Sequence, residues 1–279
     1  MKTINCKGQL LSLQTPKIIG ILNVTPDSFY DGGKFIEKNI ILQQAEKMLL
    51  AGADILDIGG YSTRPNAENI SENEELDRVL PNIETIIQNF PDVIISVDTF
   101  RANVAKEALK VGASIVNDIS GGNLDENMFN TMADLNKFQN IPYVLMHTRG
   151  TPKTMTQLTD YDDILLDLVA YFQKKIYELQ NLGIKDVIID LGFGFAKTPK
   201  QSFFLLKNLA YFEILDKPIL VGISRKSMIY KTLQTTPQNA LNGTTALNMA
   251  ALMNGASFLR VHDIVEAVET KKLFLALNA

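Results

Sequence analysis

The sequence predicts a (β/α)8 TIM barrel with a short N-terminal hairpin before the first barrel strand, on three observations. Eight short runs rich in Ile, Val and Leu recur along 279 residues, at 17–22, 54–58, 93–97, 114–119, 143–146, 186–191, 219–223 and 257–261. Most are continuously apolar instead of alternating, which is the pattern of strands buried on both faces. Helix-like segments separate them, and no Pro/Gly/Ser-rich linker or charge block interrupts the alternation, so one domain over 1–279 is expected. An open doubly wound sheet is the structural alternative; eight units fit the barrel better.

The clearest helices are expected over 40–51, 103–111, 162–182 and 246–253. Three junctions are alike: AGAD at 51–54, VGAS at 111–114 and NGAS at 254–257. A glycine just past the last turn stops a helix, because it takes a left-handed backbone conformation at little cost. The longest segment ends at Gly183 in the same way. Ahead of the first barrel strand, INCKGQLLSL at 4–13 alternates weakly around Gly8 and is expected to form a hairpin that closes the barrel bottom.

Composition narrows the function. Hydrophobic residues make up 46% of the chain, enough for a full core. Lys+Arg number 27 against Asp+Glu 31, a net charge of −4, so a nucleic-acid partner is not expected. The single Cys6 excludes an internal disulfide framework and reads as a bland thiol of a cytoplasmic protein. Residues 1–10 carry polar groups throughout, unlike a signal peptide, and no apolar run approaches the roughly 20 residues of a membrane span. A soluble, cytoplasmic protein with no membrane partner is expected.

In a barrel of this type chemistry gathers at the C-terminal ends of the strands. Those ends carry Asn23; Ser62, Thr63 and Arg64; Asp98; Asn117 and Asp118; His147; Asp190; Ser224, Arg225 and Lys226; Arg260, His262 and Asp263. Taken singly, each is as well explained as a helix cap or turn residue. Together they describe a site for a polar small molecule with an anionic part, since caps do not require Arg, Lys and His. Arg64, Arg225, Lys226, Arg260 and His262 suit a phosphate or diphosphate. Asp98, Asn117 and Asp190 suit an amino-substituted nitrogen ring, whose paired N–H groups carboxylates accept. Asn23 offers an amide oxygen to a hard cation such as Mg²⁺.

Other residues read more plainly. His147 is expected to be structural. Arg225 either meets ligand or pairs with a barrel carboxylate. Asp118 and Asp263 look like turn or cap residues, and Tyr230 and the acidic run 72–77 like solvated helix surface. GFGFAK at 192–197 lacks the third glycine of a dinucleotide fingerprint, and GISRKS at 222–227 lacks P-loop spacing. No Cys/His cluster has zinc spacing.

The segment GILNVTPDSFYDGG, 20–33, turns polar at Asn23 and sets Phe29 and Tyr30 between two aspartates. It is either a loop that closes on ligand, with Gly32 and Gly33 freeing the backbone, or a surface turn with Phe29 packed on the rim.

These segments resemble the dihydropteroate synthase family. The match runs in order through GILNVTPDSFYDGG, DIGGYSTRPNA, SVDT, VNDISGG, LMHTRGTPKTM, DLGFGFAK, GISRKSM and LRVHD, each at an expected strand end. The resemblance implies a dimeric barrel that acts in folate synthesis. Such an enzyme joins 6-hydroxymethyl-7,8-dihydropterin pyrophosphate to para-aminobenzoate with release of pyrophosphate, uses Mg²⁺, and is the target of sulfonamides. It implies that Asp98, Asn117, Asp190 and Lys226 contact the pterin, walled by Met146 and Phe195, with Arg260 stacked over the ring. Asn23, Thr63, Arg64, Arg260 and His262 would meet the pyrophosphate, with Asn23 also near the metal. Phe29, Pro65, Phe195, Lys226 and Ser227 would form the para-aminobenzoate pocket. Asp31 would lie close to the reacting carbon. The chain departs from the usual pattern at Tyr61, Asn66, Thr148, Arg149, Leu191 and Ala196, which bears on loop behaviour and drug affinity. Two other activities share parts of this pattern: a pterin-binding methyltransferase domain, and a pterin-binding protein without turnover.

Overall fold

A computed structural model describes residues 3–25, 34–62 and 69–279. The chain opens with an antiparallel hairpin of β1 (Thr3–Cys6) and β2 (Gln9–Ser12). The eight apolar runs follow as β3 (Lys17–Asn23), β4 (Ile55–Gly59), β5 (Ile95–Asp98), β6 (Ile115–Asp118), β7 (Tyr143–Met146), β8 (Val187–Asp190), β9 (Ile219–Val221) and β10 (Phe258–Val261). They pair in sequence order, all parallel, and β10 returns to β3, so the sheet closes as a barrel. Closure rules out the open doubly wound sheet.

The connecting helices are α1 (Lys34–Leu50), α2 (Glu72–Asn89), α3 (Ala102–Lys110), α4 (Met128–Asn136), α5 (Ile164–Asn181), α6 (Pro199–Lys207), α7 (Ser227–Thr232), α8 (Leu241–Met253) and α9 (Ile264–Leu277). The three expected junctions share one geometry. Gly52, Gly112 and Gly255 have φ of 100°, 124° and 93°. The next residue's N–H reaches back to the helix each time: Ala53 to the Met48 carbonyl (3.0 Å), Ala113 to Ala108 (2.9 Å) and Ala256 to Ala251 (3.0 Å). Gly183, with Ile184 bonded to the Leu179 carbonyl at 3.0 Å, is a fourth instance. This Schellman closure satisfies orphan carbonyls and delivers the chain to the next strand within a few residues. Helix starts also follow local chemistry. Ser71 and Glu74 close a capping box on α2, and Thr198 and Gln201 close another on α6, with Pro199 in its first turn.

Outward strand residues such as Ile18, Leu56, Val97, Leu145, Ile189 and Leu259 pack with Val79, Ile83, Phe172 and Phe212 from the surrounding shell. Inside, Ile19, Ile55, Ile115, Val144, Ile188, Leu220 and Phe258 fill the lower barrel together with Ile4 and Cys6 of the hairpin. The hairpin is therefore the apolar plug expected from 4–13. Its backbone is tied down by Asn5 N–H to Asp186 Oδ2 (2.9 Å) and Lys7 N–H to the Asn140 carbonyl (2.9 Å). Burial pushes the Cys6 thiol up to about 12, so it is unreactive. No helix among the described residues is long and apolar enough to cross a membrane.

Two surface expectations are corrected. The acidic run 72–77 is not uniformly solvated, since Glu75 is fully buried and ion-paired to Arg101. Helical spacing places it on one stripe with Val79, Ile83 and Ile86, so the core reaches it through register. Tyr230 is half-buried against the main core instead of lying on open surface.

Candidate active site

Parallel register aligns one rim of the barrel. Asn23 pairs with Gly59, Gly59 with Asp98, and Asp98 with Asn117, so the four stand in a row. Gly59 stands in contact with its neighbours in the row: a Cβ there would lie 3.4 Å from the Asp98 Cβ and 3.7 Å from Asn23 Oδ1, ordinary van der Waals distances. Two residues below Gly59, strand alternation turns Asp57 into the barrel. Asp57 is 1% exposed, and its Oδ2 accepts from Asn117 Nδ2 (3.0 Å) and Arg260 Nε (2.6 Å). Arg260 Nη2 donates to Asp98 Oδ2 at 2.6 Å. One guanidinium thus bridges two carboxylates inside the barrel. Burial opposes its charge, but Asp57 and Asp98 outweigh burial and hold Arg260 above its ordinary pKa. Burial pushes Asp98 up to about 7 against the pull of Arg260. Among the described residues, Asp57 Oδ1 has no hydrogen-bond partner.

Asp57 was not among the expected site residues. It sits inside a strand, not at its end, and the available signal was a lone carboxylate in the otherwise apolar ILDIG.

The opposite wall comes from β8 and the loops after β8 and β9. Asp190 pairs in register with Met146, and both are buried. Asp190 Oδ1 accepts the Gly192 N–H at 2.8 Å. Burial raises the Asp190 pKa, and Lys226 is the chief opposing charge. Lys226 Nζ donates to the Phe193 carbonyl at 2.6 Å and lies 4.7 Å from the Phe195 ring centroid. Burial draws Lys226 down to about 8, with Asp190 resisting. Ser227, half-buried, opens α7 beside it. At the outer rim His262 is exposed, with Nδ1 3.0 Å from Ser224 Oγ, which also accepts the His262 backbone N–H at 3.2 Å.

The remaining strand-end groups divide as follows. Arg225 pairs with a carboxylate: its Nε and Nη2 reach Asp263 at 3.0 and 2.6 Å. Arg225 therefore leaves the phosphate-binding set. Asp263 stands at the N-cap of α9, but its side chain serves Arg225 and makes no cap bond. Asp118 is a turn residue, accepting the N–H groups of Ser120 and Gly122 at 2.7 Å and the Tyr143 hydroxyl. His147 is structural. It is buried, its Nδ1 is 2.9 Å from Lys197 Nζ, and burial drives its pKa well below the ordinary imidazole value. Phe29, Asp31, Thr63, Arg64, Pro65 and Asn66 lie outside the described residues.

Of the departures from the usual pattern, Tyr61 bonds Asn69 Oδ1 (2.8 Å) and meets the Phe100 ring edge-on. The Arg149 guanidinium lies 3.8 Å above the Tyr161 ring and pairs with Asp167. The Tyr161 hydroxyl donates to the Ala196 carbonyl at 2.9 Å. Leu191 is fully buried, and nothing in its surroundings explains its choice over proline. Thr148 leaves a buried Oγ1 with no partner among the described residues. Ala196 adopts φ 49°, a left-handed conformation that costs an L-residue about 1–2 kcal/mol. Glycine removes that cost and returns part of it as unfolded-state entropy, so Ala196→Gly is expected to stabilise the protein by about 0.5–1 kcal/mol. Urea unfolding measures this, and a lower midpoint would refute it.

A barrel that converges three carboxylates, an amide, an arginine and a lysine at one end of its strands is built as an enzyme for a polar, nitrogen-rich small molecule. Residues 19–262 match the family described as pterin binding enzyme, and the chain belongs to that family. Dihydropteroate synthase of Escherichia coli (strain K12) is 42% identical over 269 residues, covering 96% of this chain and 93% of that protein. The Yersinia pestis dihydropteroate synthase, solved with a sulfonamide drug complex, superimposes with a TM-score of 0.90 at 41% identity over 99% of each chain. The Xanthomonas albilineans dihydropteroate synthase, solved in complex with 7,8-dihydropteroate, gives a TM-score of 0.88 at 33% identity, covering 100% of this chain and 99% of that one.

Proposed function

We propose that the chain is a dihydropteroate synthase: a transferase of folate synthesis that joins 6-hydroxymethyl-7,8-dihydropterin pyrophosphate to para-aminobenzoate and releases pyrophosphate. One observation carries this reading at the level of residues. Asp98 and, through Asp57, Asn117 gather on Arg260, whose charge also acts on Asp190 and on Lys226 beside it, in a member of the pterin binding enzymes.

The buried carboxylates accept the N–H groups of the pterin. Because Asn117 Nδ2 is committed to Asp57, its Oδ1 is the atom left to face the ring, as an acceptor. Lys226 supplies a donor at the ring and a positive charge over Phe195. The C–O bond to pyrophosphate then breaks, and pyrophosphate leaves with the electron pair. The dihydropterin delocalises the cation at its exocyclic methylene. The arylamine nitrogen forms the C–N bond and gives its proton to water. The protein's task is positioning and charge stabilisation, and no nucleophilic side chain is required. His262 at the rim favours the developing pyrophosphate charge, while Arg260 below it is bridged to Asp57 and Asp98 and joins the pyrophosphate set by family resemblance. By family resemblance Arg64 and Thr63 join them, Asp31 faces the cationic carbon, and Phe29 and Pro65 complete the aromatic-acid pocket with Phe195 and Ser227.

Magnesium is tested by the donor set. Among the described residues no group of three His, Cys, Asp or Glu side chains could hold a metal, while Asn23 presents one hard oxygen at the rim. That fits a Mg²⁺ ion which keeps its waters and binds chiefly through the substrate phosphates, and it does not fit a resident all-protein cage. Bound there, the ion would neutralise charge on the leaving group.

The resemblance further implies a cytoplasmic homodimer. The single free cysteine, Cys6, supports the location. Light scattering that gives a monomer mass would refute the dimer.

The deciding experiment is pyrophosphate release with Mg²⁺, dihydropterin pyrophosphate and para-aminobenzoate, each omitted in turn. Release that needs both organic substrates, with dihydropteroate formed in equal amount, is expected; pterin binding without release would refute turnover. The pH profile offers a second check. Ionised Asp98 offers acceptors only and keeps its charged bridge to Arg260, whereas protonation turns one oxygen into a donor; Lys226 is cationic only when protonated. The kcat/KM for the pterin substrate is therefore expected to rise through about pH 7 and fall through about pH 8. The lower limb should disappear in Asp98→Asn; a flat wild-type profile from pH 6 to 9 would sink this assignment.

A further inference from the structure

Lys197 lies behind the site wall and is only 6% exposed. Its Nζ has three acceptors: His147 Nδ1 at 2.9 Å, the Phe195 carbonyl at 3.0 Å and the His147 carbonyl at 3.3 Å. Burial draws the amine's pKa well below the ordinary lysine value, with the Asp190 charge resisting, and these three short contacts fix its place in either protonation state. All three belong to the end of β7 or to the loop 192–197. We infer that Lys197 and His147 are a positioning pair that anchors this loop from behind, sets the Phe195 ring against Lys226, and so shapes the para-aminobenzoate side of the site. This rests on the synthase reading above.

Four features support the anchor. Burial disfavours the charged form of His147, which leaves Nδ1 able to accept a Lys197 N–H across 2.9 Å. The ring cannot drift, because Tyr171 packs against it edge-on at 4.7 Å. The loop runs directly along the end of β7: a Cβ on Gly192, at φ 67°, would stand 2.1 Å from the His147 carbonyl oxygen. Finally, two lysines grip alternate carbonyls of one loop from opposite sides. Lys226 takes Phe193 at 2.6 Å from the site face, and Lys197 takes Phe195 at 3.0 Å from the back. The backbone that carries the Phe195 ring is thus held on both sides of Gly194, with the ring 4.7 Å from Lys226 Nζ.

A buried amine is a poor device for stability alone, since an apolar side chain of similar volume commonly does as well. Its use here is orientation. Lys197 makes no hydrogen bond to the pterin acceptors and acts on the Asp190 charge less than Lys226 and Arg260 do, so losing it should largely spare pterin binding and weaken the second substrate.

The test compares Lys197→Met, His147→Leu and His147→Asn. Lys197→Met and His147→Leu are expected to raise the KM for para-aminobenzoate at least tenfold. Calorimetric affinity for dihydropterin pyrophosphate should stay within threefold of wild type. His147→Asn keeps an oxygen where Nδ1 stood and should bring KM back to within threefold of wild type. The double variant Lys197→Met/His147→Leu should be no worse than either single change, as for two parts of one device. Equal weakening of both substrates, or an unchanged KM in a folded Lys197→Met, would overturn the proposal. If Lys197→Met fails to fold, the contrast between His147→Leu and His147→Asn decides. Amide exchange reads the anchor without any turnover: in the His147→Leu variant, residues 192–197 should exchange at least tenfold faster while α5 is unchanged. Unaltered exchange there would sink the anchor. A wild-type protein that makes no dihydropteroate would sink the synthase reading instead, and the exchange result would still stand or fall on its own.

Discussion

Asp190→Asn is expected to weaken dihydropterin pyrophosphate binding by about 100- to 1,000-fold, roughly 3–4 kcal/mol. The substitution is close to isosteric, and its amide oxygen can still accept the Gly192 N–H that Oδ1 holds at 2.8 Å. The local turn should therefore survive. The other carboxylate oxygen becomes an NH₂ group, and a donor then faces the N–H donors of the pterin in a buried space. A second loss follows through Lys226. Asp190 is the main charge resisting the drop of Lys226 to about 8, so its removal leaves that amine partly neutral near pH 7.5. Calorimetry at pH 7 with a urea unfolding control measures the effect. Affinity within threefold of wild type would show that Asp190 is a structural carboxylate only.

Arg260→Met should destabilise the fold by about 3–5 kcal/mol at pH 8, because it strands Asp57 and Asp98 without their shared partner. Both carboxylates are largely enclosed, with side-chain exposures of 1% and 15%. The pH dependence has a defined sign. Asp98 titrates at about 7 in the folded protein even with Arg260 present, above its ordinary 3.8. An acid with a raised folded pKa favours the fold while protonated, and that contribution is lost as pH rises through the folded value. The deficit of Arg260→Met should thus be smaller at pH 5 than at pH 8. Adding Asp57→Asn removes one stranded charge and should recover part of the loss. Wild-type stability of Arg260→Met at pH 8 would show that the bridge is not a structural element. Turnover should also fall sharply, since the amide of Asn117 is oriented through the same Asp57 oxygen that Arg260 holds.

What can be read locally was legible in the chain. The eight buried strands follow from runs of apolar residues without alternation. The returns from helix to strand follow from Gly52, Gly112, Gly183 and Gly255, because a left-handed residue after the last turn is a property of that residue and its neighbours. The row Asn23, Asp98 and Asn117 was likewise visible as polar groups at strand ends, since barrel register brings strand ends level. His147 as a structural residue and Asp118 as a turn residue needed no more than this.

Partnerships were the opaque part. Glu75 looked solvated among acidic neighbours, and only the helix's rotation against the barrel buries it on Arg101. Arg225 was equally compatible with ligand or carboxylate until α9 placed Asp263 beside it. Arg260 and Asp57 are 203 residues apart and meet because β10 closes onto β3, beside β4. Lys197 and His147 are 50 residues apart and meet because one follows β8 and the other β7. Burial pattern, backbone preference and short motifs suffice for the barrel, the helix stops and the family, because each is a property of neighbouring residues in the chain. Tertiary structure alone decided which charges are spent on one another and which remain for a ligand, because the strength of an ion pair depends on distance and burial, and both arise only when the barrel closes.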